Sequence, residues 1–296
     1  MKALLKANFQ VTVLSRSSNT ERFDPKVKVL KVDFESVESL TAALKGQNAV
    51  VSTINTAAVG EQKPLIDAAV AAGVSRFIPS EFGSVTTNPE LSTYPVFSGL
   101  AGIREHLIEK SKTSPITYTV LACGAFLDLL FGNPGILDFD NHKATLFDEG
   151  NNRFSSTSIA KIAQSIVGIL KHTGETANKV IHVSEVILTQ NKVLEIAKQI
   201  QPEADWEVTA VPSDAVLQGA LRDVAAGNFS EATIIAILSA VTFGGERYGA
   251  AYDKTDNELL GIETLSDEDL RKRIAIRLDP NGAKGETWKV GGKDAV

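Results

Sequence analysis

Short β-branched runs alternate along the chain with longer segments in which apolar residues recur every three or four positions. Leu4, Leu5 and Phe9 have the spacing of the second half of an amphipathic helix, and Gln10–Leu14 (Gln-Val-Thr-Val-Leu) then reads as a strand ending in the polar loop Ser15–Asn19. Helix followed by strand is how a βαβ unit finishes. A strand over Val27–Val32, a helix capped by Ser36 and running to Lys45-Gly46, and a buried strand over Ala49–Ile54 come next. Pro64 suits the first turn of a helix whose Leu65, Ala68, Ala69 and Ala72 share a face and which stops at Gly73, before a short strand over Ser75–Pro79. A helix from about Gly99 to Lys112 and a strand over Ile116–Leu121 continue the series. This alternation predicts an α/β fold with a parallel sheet covered on both faces.

Beyond about residue 122 the pattern loosens. Gly132–Gly135 reads as loop, Ala144–Phe147 as a strand, Ser158–Lys171 as a helix, Lys179–Val183 as a strand, and Gln190–Ile200 as a helix opened by Thr189. Trp206–Val211 has strand composition, and helices fall near Ser213–Ala225 and Ser230–Ala240. The glycine-rich tail from 280 to 296 is expected to be poorly ordered. No repeat or Pro-rich linker divides the chain, so the expected organisation is a first part over 1–122 and a second region over 123–279 that is interleaved with it and returns elements to the first sheet.

Composition narrows the functions. A formal charge of −6 and a pI near 5.4 give no field that attracts phosphate backbones, so neither nucleic acid nor an anionic membrane is an expected partner. Cys123 is the single cysteine, which excludes an intramolecular disulfide and a multi-cysteine zinc site, and its neighbours Val120, Leu121, Ala122 and Ala125 mark it as a buried thiol. No run approaches the roughly 18 apolar residues of a membrane span, and the apolar stretch at Met1–Ala7 is too short for a secretory signal, so a cytoplasmic location is the expectation.

One segment is more specific. Gly73-Val-Ser-Arg-Phe-Ile-Pro-Ser-Glu-Phe-Gly83 resembles a signature of the NmrA-like and isoflavone-reductase-like proteins, atypical relatives of short-chain dehydrogenases. Val11–Arg16, Asp33 with Leu40 and Leu44-Lys45-Gly46, Val50–Ile54, Pro115–Val120, and Gly150-Asn-Asn with Ser158–Ala163 support it, covering residues 1 to 200 well and the remainder loosely. The resemblance implies a Rossmann domain binding NADP(H), with ligands outside the carboxyl ends of the strands. Arg16 follows a strand where NAD-preferring enzymes carry an acidic residue, and a guanidinium there can pair with a ribose 2′-phosphate. It further implies that Arg16, Ser17, Thr53, Ile54, Asn55, Ser80, Glu81 and Phe82 lie along the cofactor, with Phe82 beside the nicotinamide and Gly83 in a tight turn. For Glu81, backbone N–H acceptance in that turn is expected over catalysis.

Two departures qualify the resemblance. The Gly-x-x-Gly-x-x-Gly loop, which the family carries upstream of the Gln10–Leu14 strand, is not in this chain. That loop gives backbone approach to the pyrophosphate at a helix N-terminus, so cofactor affinity is expected to fall severely. The first strand, central in a 3-2-1-4-5-6 sheet, is absent with it, leaving two edges whose orphan groups cost about 1 to 3 kcal/mol each against a total stability of about 5 to 15 kcal/mol. The expectation is a truncated member of the family, checked by reading the coding region upstream of Met1. The second departure is Leu100, which stands where reductases of this family place the lysine that acts as general base or polarises substrate; leucine cannot transfer protons, and Lys110 and Lys112 lie too far along the helix. The catalytic group is therefore unknown.

His106, His142, His172 and His182 show no metal-ligand spacing, and Asp128, Asp138 and Asp140 read as loop or helix-end carboxylates. Three functions remain open: an NADPH-dependent reductase of a small aromatic or phenolic molecule, a non-catalytic NADP-sensing regulator of the NmrA type with a protein partner, and a fragment without cofactor.

Overall fold

The computed structural model describes residues 1–17, 23–132 and 135–279. The expectations for 18–22, 133–134 and the 280–296 tail lie outside the described residues. The first part contains α1 (Lys2–Lys6), β1 (Thr12–Ser15), β2 (Lys28–Lys31), α2 (Val37–Leu44), β3 (Ala49–Val51), α3 (Gln62–Ala71), β4 (Arg76–Ile78), α4 (Pro95–Thr113) and β5 (Thr117–Ala122). The second contains β6 (Ala125–Phe126), α5 (Leu127–Leu130), β7 (Lys143–Phe147), β8 (Phe154–Thr157), α6 (Ile159–Lys171), β9 (Lys179–His182), β10 (Val186–Leu188), α7 (Gln190–Ile200), β11 (Glu207–Val211), α8 (Ser213–Ala225), α9 (Glu231–Phe243), α10 (Asn257–Leu260) and α11 (Asp267–Leu278).

Local chemistry sets many of these boundaries. Ser36, Ser158, Thr189 and Ser230 each accept a hydrogen bond from the backbone N–H three residues on, which satisfies an otherwise orphaned donor of the helix that follows. Pro95, with φ already set for a helix, starts α4 four residues earlier than the apolar pattern indicates. The chain from Thr56 to Glu61 forms a 3-10 helix capped by Asn55 Oδ1.

The main sheet is parallel, in the order β3-β4-β5-β9, so the strand at 179–182 returns from the second part to lie beside β5. β1 and β2 form a separate parallel pair, with Val13 opposite Val29. Both pieces share one core: Leu14 and Leu30 pack with Val50, Leu40, Leu65, Phe77 and Ile103. The break in the sheet falls between β1 and β3, and no ladder joins them among the described residues.

Backbone direction follows from the ladder. Lys28 N donates to Val11 O and Val32 N to Ser15 O, so alternate residues Thr12 and Leu14 turn their amides and carbonyls toward the break. On β3, Asn48 O accepts from Ser75 N and Ser52 N donates to Ile78 O, so Ala49 and Val51 do the same from the other side. Val13, Leu14 and Val51 are accordingly half-buried, whereas β4 is buried throughout. A groove of about 530 Å³, lined by Asn8, Val11, Thr12, Lys28 and Gln47 among others, opens at the amino ends of these strands.

Behind the sheet a second core joins Ile78, Leu121, Cys123, Ile162 and Ile181. The largest core belongs to the second part, where Phe131, Phe154, Leu188, Val193, Ile237 and Ile274 lie among α5, α7, α9 and α11. Cys123 is fully buried, and burial pushes its thiol well above the usual range, which makes it a poor nucleophile.

Candidate functional site

The carboxyl ends of β1, β3 and β4 bring the expected cofactor positions to one rim. Arg16, at the end of β1, is about two-thirds exposed and lies over the Phe34 ring at 5.6 Å. One of its nitrogens contacts both oxygens of Glu61 at 2.7 and 2.6 Å. That carboxylate occupies the place the sequence reading gives to a phosphate. Because the pair is solvated, it is worth no more than about 1 kcal/mol, and a doubly charged phosphate can displace it. Ser17 and Thr53 are exposed, Ile54 packs on the core below, and Asn55 caps the 3-10 helix.

β3 and β4 are tied together just past their ends. Ser80 Oγ donates to Ile54 O at 2.7 Å, and Ser80 N donates to the Gln62 side-chain oxygen at 2.7 Å. Ser52 Oγ, buried at the end of β3, has no protein partner. Two of these features fit the adenosine end of a dinucleotide: an exposed guanidinium beside an aromatic ring, and polar strand ends held in fixed relation.

Glu81 departs from the expected role. Its carboxylate is 2% exposed and pairs with Arg104 of α4 instead of capping backbone amides in its own turn. The turn leaves the carboxylate facing α4, where Arg104 also donates to Thr86 O at 3.0 Å and so fastens the loop after β4 to that helix. Burial outweighs the attraction of Arg104 and raises the Glu81 carboxyl to about 7. An unmatched Glu in the Ser-Glu-Phe-Gly run was the available signal for a buried counter-ion, but its partner lies 23 residues on.

Phe82 packs against the second core beside Ile78 and Cys123. Gly83 is required by close approach: a Cβ there would come within 2.3 Å of Thr86 Cγ2. Its carbonyl accepts from Cys123 N at 3.0 Å, joining the loop after β4 to the end of β5. Leu100 is half-buried on α4, and Lys110 pairs with Asp67 at 2.7 Å near the far end of that helix.

The sequence reading missed a pocket beside this loop. About 310 Å³ in volume, it is lined by Ser84, Asn88, His182, Tyr248 and Tyr252 among others. The Tyr252 hydroxyl donates to Ser84 O and accepts from Gly124 N, bridging the ends of β4 and β5. Other candidates resolve as structure. Asp128 accepts from Ile159 N at the start of α6, Asp140 forms a two-point pair with the buried Arg277, and His106 meets Asp67. Among the described residues no helix is long and apolar enough to cross a membrane.

Comparison with known proteins agrees with this architecture. The NmrA-like family pattern matches residues 1–247. Oxidoreductase poxI of Penicillium oxalicum is 27% identical across 92% of this chain and 88% of its own length. Oxidoreductase aprR of Aspergillus flavus is 30% identical across 86% of each. The binary complex of leucoanthocyanidin reductase with NADPH from Vitis vinifera superposes with a TM-score of 0.71 at 18% identity, covering 94% of both chains, which shows a shared Rossmann-like fold. The match over residues 1–247, carried on a parallel α/β sheet, makes this chain a member of the NmrA-like family.

Proposed function

We propose that the protein binds NADP(H) across the carboxyl ends of β1, β3 and β4 and reduces a small aromatic or phenolic molecule. The observation that carries this reading is that Arg16 and Ser17 follow β1, Thr53 and Asn55 follow β3, and Ser80 follows β4, all at carboxyl ends of parallel strands, with Ser80 tied to Ile54 across β3 and β4; Glu81 and Phe82 follow Ser80 but turn toward α4 and the second core. In open α/β sheets such a rim is where ligands sit. The relatives named as oxidoreductases, and the NADPH held by the similar leucoanthocyanidin reductase, support it.

Arg16 would hold the 2′-phosphate, Ser17 and Asn55 would offer polar contacts to the adenosine side, and Phe82 would border the nicotinamide. When bound, the dinucleotide supplies a hydride. The chain's own part is to orient the substrate from the 123–279 side and to exclude water through the loop that Arg104 and Tyr252 fasten. Residues 1–122 are then the dinucleotide-binding part. The buried, inert thiol of Cys123 suits a reducing, cytoplasmic setting.

The test is a titration with NADPH followed by nicotinamide fluorescence, then NADPH consumption with a panel of aromatic ketones, enones and phenolic ethers. Arg16→Ala should weaken NADPH at least about tenfold while leaving NADH unchanged, the loss expected of a charge-assisted pair. Equal loss of both would show that Arg16 does not read the 2′-phosphate. Tight NADPH binding with no turnover on any substrate would replace the reductase by the redox-sensor reading that Leu100 favours.

A further inference from the structure

The pocket beside the β4 loop contains a titratable ring with no assigned work. His182 ends β9, and its backbone is clamped at both groups by Asp256, whose Oδ2 accepts from His182 N at 2.8 Å and whose N donates to His182 O at 2.7 Å. The imidazole stands edge-on to the Tyr252 ring, with centroids 4.9 Å apart. Among the described residues its ring nitrogens make no hydrogen bond, unlike those of His106 and His142.

The remaining wall points to a flat ligand carrying one polar group. Tyr248 and Tyr252 supply aromatic surface, and Tyr252 spends its hydroxyl on Ser84 O and Gly124 N. Two further hydroxyls of the wall, Ser84 Oγ and Tyr248 Oη, are buried without a partner.

We propose that His182 is the specificity-determining residue of this pocket, accepting a hydrogen bond from the hydroxyl of a phenolic ligand that packs against Tyr248 and Tyr252. The titratable groups on the walls around the ring, among the described residues, are Asp256, Tyr252 and Tyr248, whose phenol burial also raises. Asp256 favours the imidazolium, but burial prevails and holds His182 below its ordinary range, so at pH 7 the ring is neutral and one nitrogen is an acceptor. The Tyr252 phenol is pushed far up by burial and stays neutral. The inference rests on the reductase reading for the ligand's role as substrate, but not for its binding.

A matched pair of probes tests it on the full chain without NADPH: 4-phenylphenol, which has a hydroxyl to donate, and its methyl ether, which has none. The phenol should bind roughly fivefold or more tighter than the ether, the size of one net hydrogen bond, and should shift the His182 ring nitrogens in ¹⁵N NMR spectra. His182→Phe, checked for folding by circular dichroism, should bring the phenol to the ether's affinity and leave the ether unchanged. In the unmodified protein the phenol's advantage should fade as pH falls and the ring protonates, which keeps the test open should the variant not fold. Equal affinities, binding of neither probe, or a phenol that leaves the His182 resonances in place overturns the proposal. NADPH binding is read separately by fluorescence, so the pocket assignment can fail while the reductase reading stands.

Discussion

Replacing Glu81 by Gln isolates the energetic consequence of burying a carboxyl opposite Arg104. The group titrates at about 7 in the folded chain against an ordinary 4.5. Below pH 4.5 it is protonated in both folded and unfolded states, and its contribution to stability is fully present. As pH rises from 4.5 the unfolded chain releases the proton first, and stability falls until the folded group ionises near 7. The difference of 2.5 between 7 and 4.5, at about 1.36 kcal/mol per unit, corresponds to about 3 kcal/mol lost across this window. Glutamine keeps the shape and cannot ionise, so the Glu81→Gln variant should gain about 3 kcal/mol relative to the unmodified protein between pH 4.5 and pH 8. Urea unfolding at several pH values measures this difference, a relative midpoint shift of about 1 M for an m-value of about 3 kcal/mol per M. Parallel pH profiles for the two proteins would show that Arg104 holds Glu81 ionised in the fold, and the reasoning would be wrong.

Other consequences follow from particular contacts. Gly83→Ala should destabilise by about 1 to 3 kcal/mol through overpacking, because its new methyl meets Thr86 Cγ2 at 2.3 Å; adding Thr86→Ala should recover most of the loss in thermal melts, and no recovery would place the clash elsewhere. Arg277→Met removes both hydrogen bonds to Asp140 and one to Phe131 O, so denaturant unfolding should show a loss of about 2 to 4 kcal/mol. Hydrogen exchange should find the Leu14 and Val51 amides, which point into the break, exchanging on the order of tenfold faster than those of Val13 and Val50; equal protection would mean that the break is closed in solution.

Much of the first part is legible in the residues because it is local. Ser36 and Thr189 cap helices where the sequence reading puts them, since a hydroxyl three residues before a free N–H needs no tertiary partner. The series of parallel strands from 49 to 122 follows from alternating periodicities. The helix at Asp267–Leu278 escaped notice because its charged turns hide a narrow apolar face of Leu270, Ile274 and Leu278. The two-residue strand β6 and the short strands β8 and β10 carry too few residues for any period to show.

The order of amino acids therefore determines the strand-helix alternation, the family, and the set of positions at the strand ends. Tertiary structure decides which groups meet: Arg16 with Glu61, Glu81 with Arg104, and His182 with Tyr252 are separated by 45, 23 and 70 residues. Caps and periodicities act within a few residues of chain, so they are written in the sequence itself. Ion pairs, buried titrating groups and pocket walls depend on distances in space, and those are set only when the strands pack side by side.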